Sequence, residues 1–218
     1  MTRLDEVALS IEITLISLVE GFALQFLAGS ATPIVHDHTQ AVFILYVIAA
    51  VLFTLIFWSQ AVAHAVSFIR WPIRIGHMFL YFVAAFVQVI SFGNITDPVR
   101  WFFWCGIFTI IIALLYWLDL DLIHKSRRKF ENMPKGPAFL AQVERRHRYE
   151  LHTLVPAALI FNIGIFFLLF LYPSYFGMGW YAIFGILQMV VSIGALVDCV
   201  RNFRLRAKMV GQLWEDND

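Results

Sequence analysis

Charge is what this sequence has least of. Charged residues make up 14% of its 218 positions, against roughly 25% in an ordinary soluble domain. Hydrophobic residues make up 61% and aromatic residues 17%. A chain with a mean hydropathy of +0.76 has too little polar surface to cover itself in water, so a soluble fold is excluded. Cysteine is scarce as well. Cys105 and Cys199 both fall in apolar stretches, with no CxxC or Cys/His spacing, which argues against a disulfide framework or a zinc knuckle. The nucleophile-elbow, phosphate-loop and dinucleotide-fold patterns are all missing from the sequence, so no soluble-enzyme class is indicated and no catalytic residue is assigned. The opening segment, MTRLDEVALSIEITLISLVEG, carries Asp5, Glu6, Glu12 and Glu20. Its apolar stretch runs too long for a signal-peptide core, and a cleavable leader is not expected.

What is present is a set of long apolar runs. A helix needs about 20 mostly apolar residues to cross the hydrocarbon layer. Six segments meet that length: Val7–Ser30, Ala41–Ile69, Ile73–Asn94, Val99–Leu122, Thr153–Tyr172 and Gly177–Val200. Turn residues separate them, namely Thr32-Pro33, Trp71-Pro72, Gly93-Asn94, Asp97-Pro98 and Pro173-Ser174. The runs are continuous rather than alternating, which excludes barrel strands. The expected architecture is therefore an all-α polytopic membrane protein forming one domain over residues 1–218, in the bacterial cytoplasmic (inner) membrane. No internal repeat of the inverted-transporter kind is visible.

Basic residues set the expected orientation. Arg3 precedes the first run, Arg70 and Arg74 separate the second from the third, eight basic residues lie between Lys125 and Arg148, and Arg201, Arg204, Arg206 and Lys208 follow the sixth. Only Arg100 falls on the opposite side, so fifteen of sixteen cationic residues agree with both termini inside. Trp101, Trp104, Tyr172, Tyr175, Trp180 and Tyr181 are then expected in the outer aromatic belt, with Trp71 and Trp117 in the inner one. The loop 123–152 and the tail 201–218 are cytoplasmic in this reading. The loop's second half, with Pro137, Phe139, Leu140, Val143 and Leu151, is expected to form an amphipathic helix that lies on the membrane or runs into the fifth span. Lys125, Arg127, Arg128 and Lys129 are expected to face lipid headgroups.

Polar residues inside apolar runs are costly and therefore informative. Glu20 lies near the middle of the first span, too deep to reach an interface. Ser10, Thr14, Ser17, Gly21, Gln25 and Ala28 share one stripe of that helix, which suits packing or a pore wall, and Glu20 borders it. Glu20, Ser17 and Gln25, with Asn162 and Gln188 at mid-depth on later spans, are the candidate ion pathway. A second stripe joins His77, Tyr81, Ala84, Gln88 and Ser91. His64 and His77 fall at similar depth on neighbouring spans, with Asp119, Asp121, His124, His152 and Asp198 near the same level. Imidazoles facing one another there suit haem b iron, and with aspartate a metal ion, giving His64, His77, Asp119 and His152 as candidate ligands. His36-Asp37-His38 is a short outer-loop motif suited to a surface metal or a pH response.

The leading functional expectation is an oligomeric ion channel or a small ion-coupled transporter. In size and span number the chain is similar to bacterial members of the lysosomal-type potassium channel family. It lacks that family's Arg-then-Phe-Ser-Asp signature, since Leu4-Asp5-Glu6-Val7-Ala8-Leu9 follows Arg3. The alternatives are a haem- or quinone-binding redox subunit using His64 and His77, and a non-conducting anchor or sensor that holds a cytoplasmic protein through the basic loop and the Trp214–Asp218 tail. Membrane lipids and further copies of the chain are the expected partners, and nucleic acid is not. The orientation predicts that a reporter fused at Ser126 or at the C-terminus reads cytoplasmic, and one at His38 or Ser174 external. One inverted reporter would overturn the topology.

Overall fold

The computed structural model describes residues 3–68, 75–131 and 135–215. Expectations resting on Arg70, Trp71, Pro72, Arg74 and the last three residues lie outside the described residues. So do those on the side chains of Arg3, Ser126, Arg128, Lys129 and Trp214. The described chain is helical throughout, with no strand. Its α-helices are α1 (Arg3–His36), α2 (Ile44–Phe68), α3 (Ile75–Gly93), α4 (Pro98–Glu131), α5 (Gly136–Tyr149), α6 (Val155–Leu171) and α7 (Met178–Glu215). Six helical stretches of the described chain are long and apolar enough to cross a membrane, and the protein is accordingly an integral membrane protein.

Local chemistry sets the helix boundaries. Asp97 caps α4, its carboxylate accepting from the Arg100 amide at 3.2 Å, and Pro98 follows at the first helical position, where its missing N–H has no consequence. The exposed Asp37 starts a short 3₁₀ turn, His38–Phe43, by accepting from the Thr39 amide and hydroxyl. Those two bonds hold its carboxyl below the usual aspartate range. Between α5 and α6 the chain widens into a π turn, Glu150–Leu154. It ends two residues before Pro156, which cannot donate to the preceding turn and whose ring crowds it.

Three of the described helices outrun the membrane by about 20 Å or more, α1 with its 34 residues among them, and in α4 and α7 the extra length lies at one end. At 1.5 Å per residue, the 38 residues of α7 and the 34 of α4 measure about 57 and 51 Å, against a hydrocarbon layer of about 30 Å. The excess falls at the end of the bundle that also carries α5, called here the α5 end. Much of the stretch 123–152 is thus a rigid continuation of α4 plus α5. The apolar residues of α5, Phe139, Leu140 and Val143, are buried against Ile123 and Phe130 of α4.

Helix α2 packs on α7 and α1, α3 on α1 and α4, and α4 on α6. A central aromatic cluster joins Tyr46, Phe92, Trp101, Phe102 and Phe184. Trp101 is fully buried and donates its indole N–H to Gln188 at 2.8 Å, which corrects its expected place in the outer belt. A tryptophan inside a bundle needs such an acceptor. Tyr172, Tyr175, Trp180 and Trp117 are exposed, as a belt requires.

Close helix approach rests on small residues, as in membrane bundles generally. At Gly185 on α7, a Cβ would come within 3.0 Å of the Leu45 Cβ and the Tyr46 ring on α2. Gly194, further along α7, has nothing within 4 Å of its Cβ position. Gly185→Leu is expected to part α2 from α7 and destabilise the bundle by about 1–3 kcal/mol, while Gly194→Leu leaves it within about 0.5 kcal/mol. Thermal unfolding of the detergent-solubilised chain checks this, and equal effects would refute it.

Candidate functional site

The densest polar cluster lies at the α5 end. Asp119 of α4 is 6% exposed and sits among imidazoles from three other helices. Its Oδ1 lies 2.8 Å from His77 Nε2 on α3 and 3.1 Å from His64 Nδ1 on α2. Its Oδ2 lies 3.2 Å from His147 Nε2 on α5. The His64 and His77 rings stack at 4.3 Å between centroids, 24° from parallel. Facing rings of this kind leave no room for an iron between opposed nitrogens, so the pair in this arrangement does not form a bis-imidazole haem seat. His64, Asp119 and His147 each offer a ligating atom, all within 4.8 Å of one another.

A second layer of charge surrounds this one. Arg206 of α7 brings Nη2 to 3.4 Å from His147 Nδ1. Arg146 Nε lies 2.7 Å from Glu150, and the same guanidinium pairs with Asp198 of α7. Together these contacts tie α5 and the π turn to α7.

His147 was not among the candidate ligands, and His152, which was, lies exposed on the π turn away from the cluster. The exchange follows from helix geometry. The side of α5 that carries Leu140 and Val143 meets α4, and His147 continues that side one and two turns further on, which hides it from a reading based on span depth. Glu144 stands three residues before His147, a Glu-x-x-His spacing present in the sequence. It turns instead toward His124, Arg127 and Arg148. Asp121 pairs with Lys125 at 2.6 Å. Lys125 and Arg127, expected to meet lipid headgroups, are thus engaged in ion pairs within the chain.

Further into the bundle, α1 buries two carboxyls. Glu12 and Glu20 are 2% and 3% exposed, and neither has a hydrogen-bond partner among the described residues. Both line one cavity of about 20 Å³ among α1, α2 and α3, completed by Leu15, Phe57, Met78 and Tyr81 among others. That volume suits a single water molecule. Gln88 of α3 is a polar side chain beside Glu20, without hydrogen-bonding geometry to it. Its Nε2 donates to Thr54 at 2.6 Å while its Oε1 stays without a partner. The Tyr81 ring stands 4.9 Å from the His77 ring.

The remaining candidates separate. Asn162 and Gln188 bond to each other at 3.4 Å, and Gln188 to Trp101, in a group shared by α4, α6 and α7. They do not reach Glu20, whose polar neighbour is Gln88. The α3 stripe of His77, Ala84, Gln88 and Ser91 is buried. The α1 stripe is the reverse: Ser10, Thr14, Ser17, Gly21, Gln25 and Ala28 are all exposed on the outside of the chain. Ser17 accepts from Trp58 of α2 at 3.3 Å. In the His36-Asp37-His38 motif, His36 Nδ1 bonds the Thr32 carbonyl at 2.8 Å and Asp37 is used in capping, so that motif is largely occupied by turn structure.

If Asp119 organises the cluster, Asp119→Asn removes the central charge at constant shape. Losing one member of a buried ion group is expected to destabilise the protein by about 3–5 kcal/mol. Asp121→Asn, which breaks an exposed pair, should change stability by no more than about 1 kcal/mol. Thermal unfolding of both variants decides, and comparable losses would remove Asp119 from this role.

The chain matches no protein-family model, no curated protein and no solved structure.

Proposed function

We propose that the protein is an oligomeric ion channel or small ion-coupled transporter, with Glu20 and Glu12 of α1 on or beside the ion's route. The observation that carries this reading is the pair of buried carboxyls facing one water-sized cavity without hydrogen-bond partners among the described residues. A carboxyl serving only to join helices would be matched by donors, as Gln188 is matched by Trp101 and Asn162. Left unmatched at membrane depth, it is suited to a proton, a water or a cation.

Two further features support the reading. Polar groups run from Gln88 and Glu20 through Glu12 and Tyr81 to His77 and Asp119, joining mid-bundle to the α5 end. The outward stripe of α1 places Ser10, Thr14, Ser17 and Gln25 where a lone chain would offer them to lipid. Hydrocarbon cannot solvate such groups, so they suit a contact between copies or the wall of a watery path. Several copies arranged with α1 inward would supply that wall. The orientation proposed from the basic residues puts the α5 end in the cytoplasm, where α5 and the extensions of α4 and α7 form a collar. Of the alternatives, the redox subunit is weakened by the stacked His64 and His77 rings.

Flux in proteoliposomes tests the proposal. Glu20→Gln keeps the size and hydrogen-bonding capacity of the side chain but removes its titratable charge. It is expected to lower cation or proton flux at least about tenfold, the loss of one well-placed charge interaction, while the oligomer stays intact by gel filtration. Unchanged flux in the variant would remove Glu20 from the route. A folded wild-type protein that passes neither protons nor alkali cations under a gradient would overturn the function.

A further inference from the structure

The cluster at the α5 end has a feature that ion conduction does not explain. Aspartate only accepts hydrogen bonds when ionised, so each imidazole nitrogen facing Asp119 must bring a proton or share a cation with it. For His147 the geometry is specific. Its Nδ1 lies 3.1 Å from the Val143 carbonyl, an atom that can only accept, so this bond places the proton on Nδ1. The lone pair of Nε2 then points at Asp119 Oδ2, 3.2 Å away, leaving two acceptors face to face in a buried site. In a neutral ring the opposite tautomer relieves the conflict by giving up the Val143 bond and accepting from Arg206 at 3.4 Å; otherwise a second proton on the ring, or a cation between Nε2 and Oδ2, is required.

We propose that His64, Asp119 and His147 bind a first-row divalent transition metal of the zinc class. Two imidazoles and one carboxylate are a ligand set for zinc or cobalt rather than for calcium or magnesium, which prefer oxygen alone. The three ligating atoms lie within 4.8 Å of one another. Tetrahedral zinc, with bonds of about 2.0–2.2 Å, holds its ligands about 3.4 Å apart, so rotamer adjustments of an ångström or so close the site. The Val143 carbonyl orients His147 in the manner usual for a metal-bound imidazole, whose second nitrogen donates to a carbonyl or carboxylate. His77, 2.8 Å from the Asp119 oxygen that faces His64, holds that carboxylate in place. All three ligands are 6% exposed or less, which keeps bulk water from the protein ligands, and a single bound water would complete the tetrahedron.

The ligands come from α2, α4 and α5. A bound metal therefore fastens α5 to the membrane bundle, a link separate from the Glu12–Glu20 cavity and independent of whether the protein conducts ions. Metal concentration would then set how firmly the α5 end is held.

The test uses the full-length protein in detergent, stripped with a chelator, desalted and titrated with Co²⁺ and then Zn²⁺. One equivalent of Co²⁺ per chain is expected, with the visible absorption of a tetrahedral site, displaced by Zn²⁺. His147→Gln should weaken binding at least about tenfold, and His152→Gln should leave it unchanged. His147→Cys should keep one equivalent and add a sulfur-to-cobalt charge-transfer band in the near ultraviolet, which only ligation at position 147 produces. If His147→Gln fails to fold, the cysteine variant decides. Three results would overturn the site: a monodisperse wild-type protein that takes up no Co²⁺ or Zn²⁺, binding that survives His147→Gln, or a His147→Cys variant without the new band. Binding lost instead on replacing His36 and His38 would move the metal to the outer loop and likewise overturn it.

Discussion

A carboxylate buried in an apolar bundle must be neutralised by its neighbours, because the charged form loses its hydration. Asp119 meets this demand by drawing His64, His77 and His147 from three different helices to its two oxygens. Those contacts fix the depth of α2 against α3 at the end where both enter or leave the bundle. They also fix α5 against α4, where the apolar residues Phe139, Leu140 and Val143 complete the attachment. Apolar contact alone would let helices in lipid slide, since lipid tails offer similar contacts. A directional polar cluster does not.

The remaining polar groups sort by whether the chain itself satisfies them. Trp101, Gln188 and Asn162 form a closed set that joins α4, α6 and α7. Thr54 bonds back to Ala50 and receives Gln88. Helix α1 is different on two of its faces, with unmatched carboxyls turned inward to a cavity and a polar stripe turned out. Single unmatched atoms occur elsewhere, at His77 Nδ1, Gln88 Oε1 and Glu150 Oε2, but among the described residues only α1 carries carboxyls with both oxygens unmatched, which is the basis for the proposal that it borders the ion route.

The spans were legible because membrane insertion is a nearly one-dimensional constraint: a run of apolar residues must be long enough, and its hydrogen bonds must be internal. The ends were less so. Helices α4 and α7 continue well past Leu122 and Val200, since charged helix formers propagate a helix in water without any change in hydropathy to mark it. The His64, His77 and Asp119 grouping followed from depth on antiparallel spans. His147 did not, because its position depends on which face of α5 meets α4. Periodicity identified the α1 stripe but not what covers it. The same logic misplaced Trp101, for an aromatic near a span end reads as interfacial unless its acceptor, Gln188 on a distant helix, is known.

In the proposed assembly the outer stripe of α1 faces a hydrated path, while the buried carboxyls on its inner side are matched by water or a cation in the cavity behind it. Electron cryomicroscopy of the full-length protein in lipid nanodiscs, at a resolution that locates ordered water, measures this most directly. The account predicts a symmetric assembly with Ser17, Gly21 and Gln25 lining a central path, and density within hydrogen-bonding distance of the Glu20 carboxyl. A single chain whose α1 stripe meets lipid, or an assembly in which Glu12 and Glu20 are sealed in a dry contact far from any path, would contradict it.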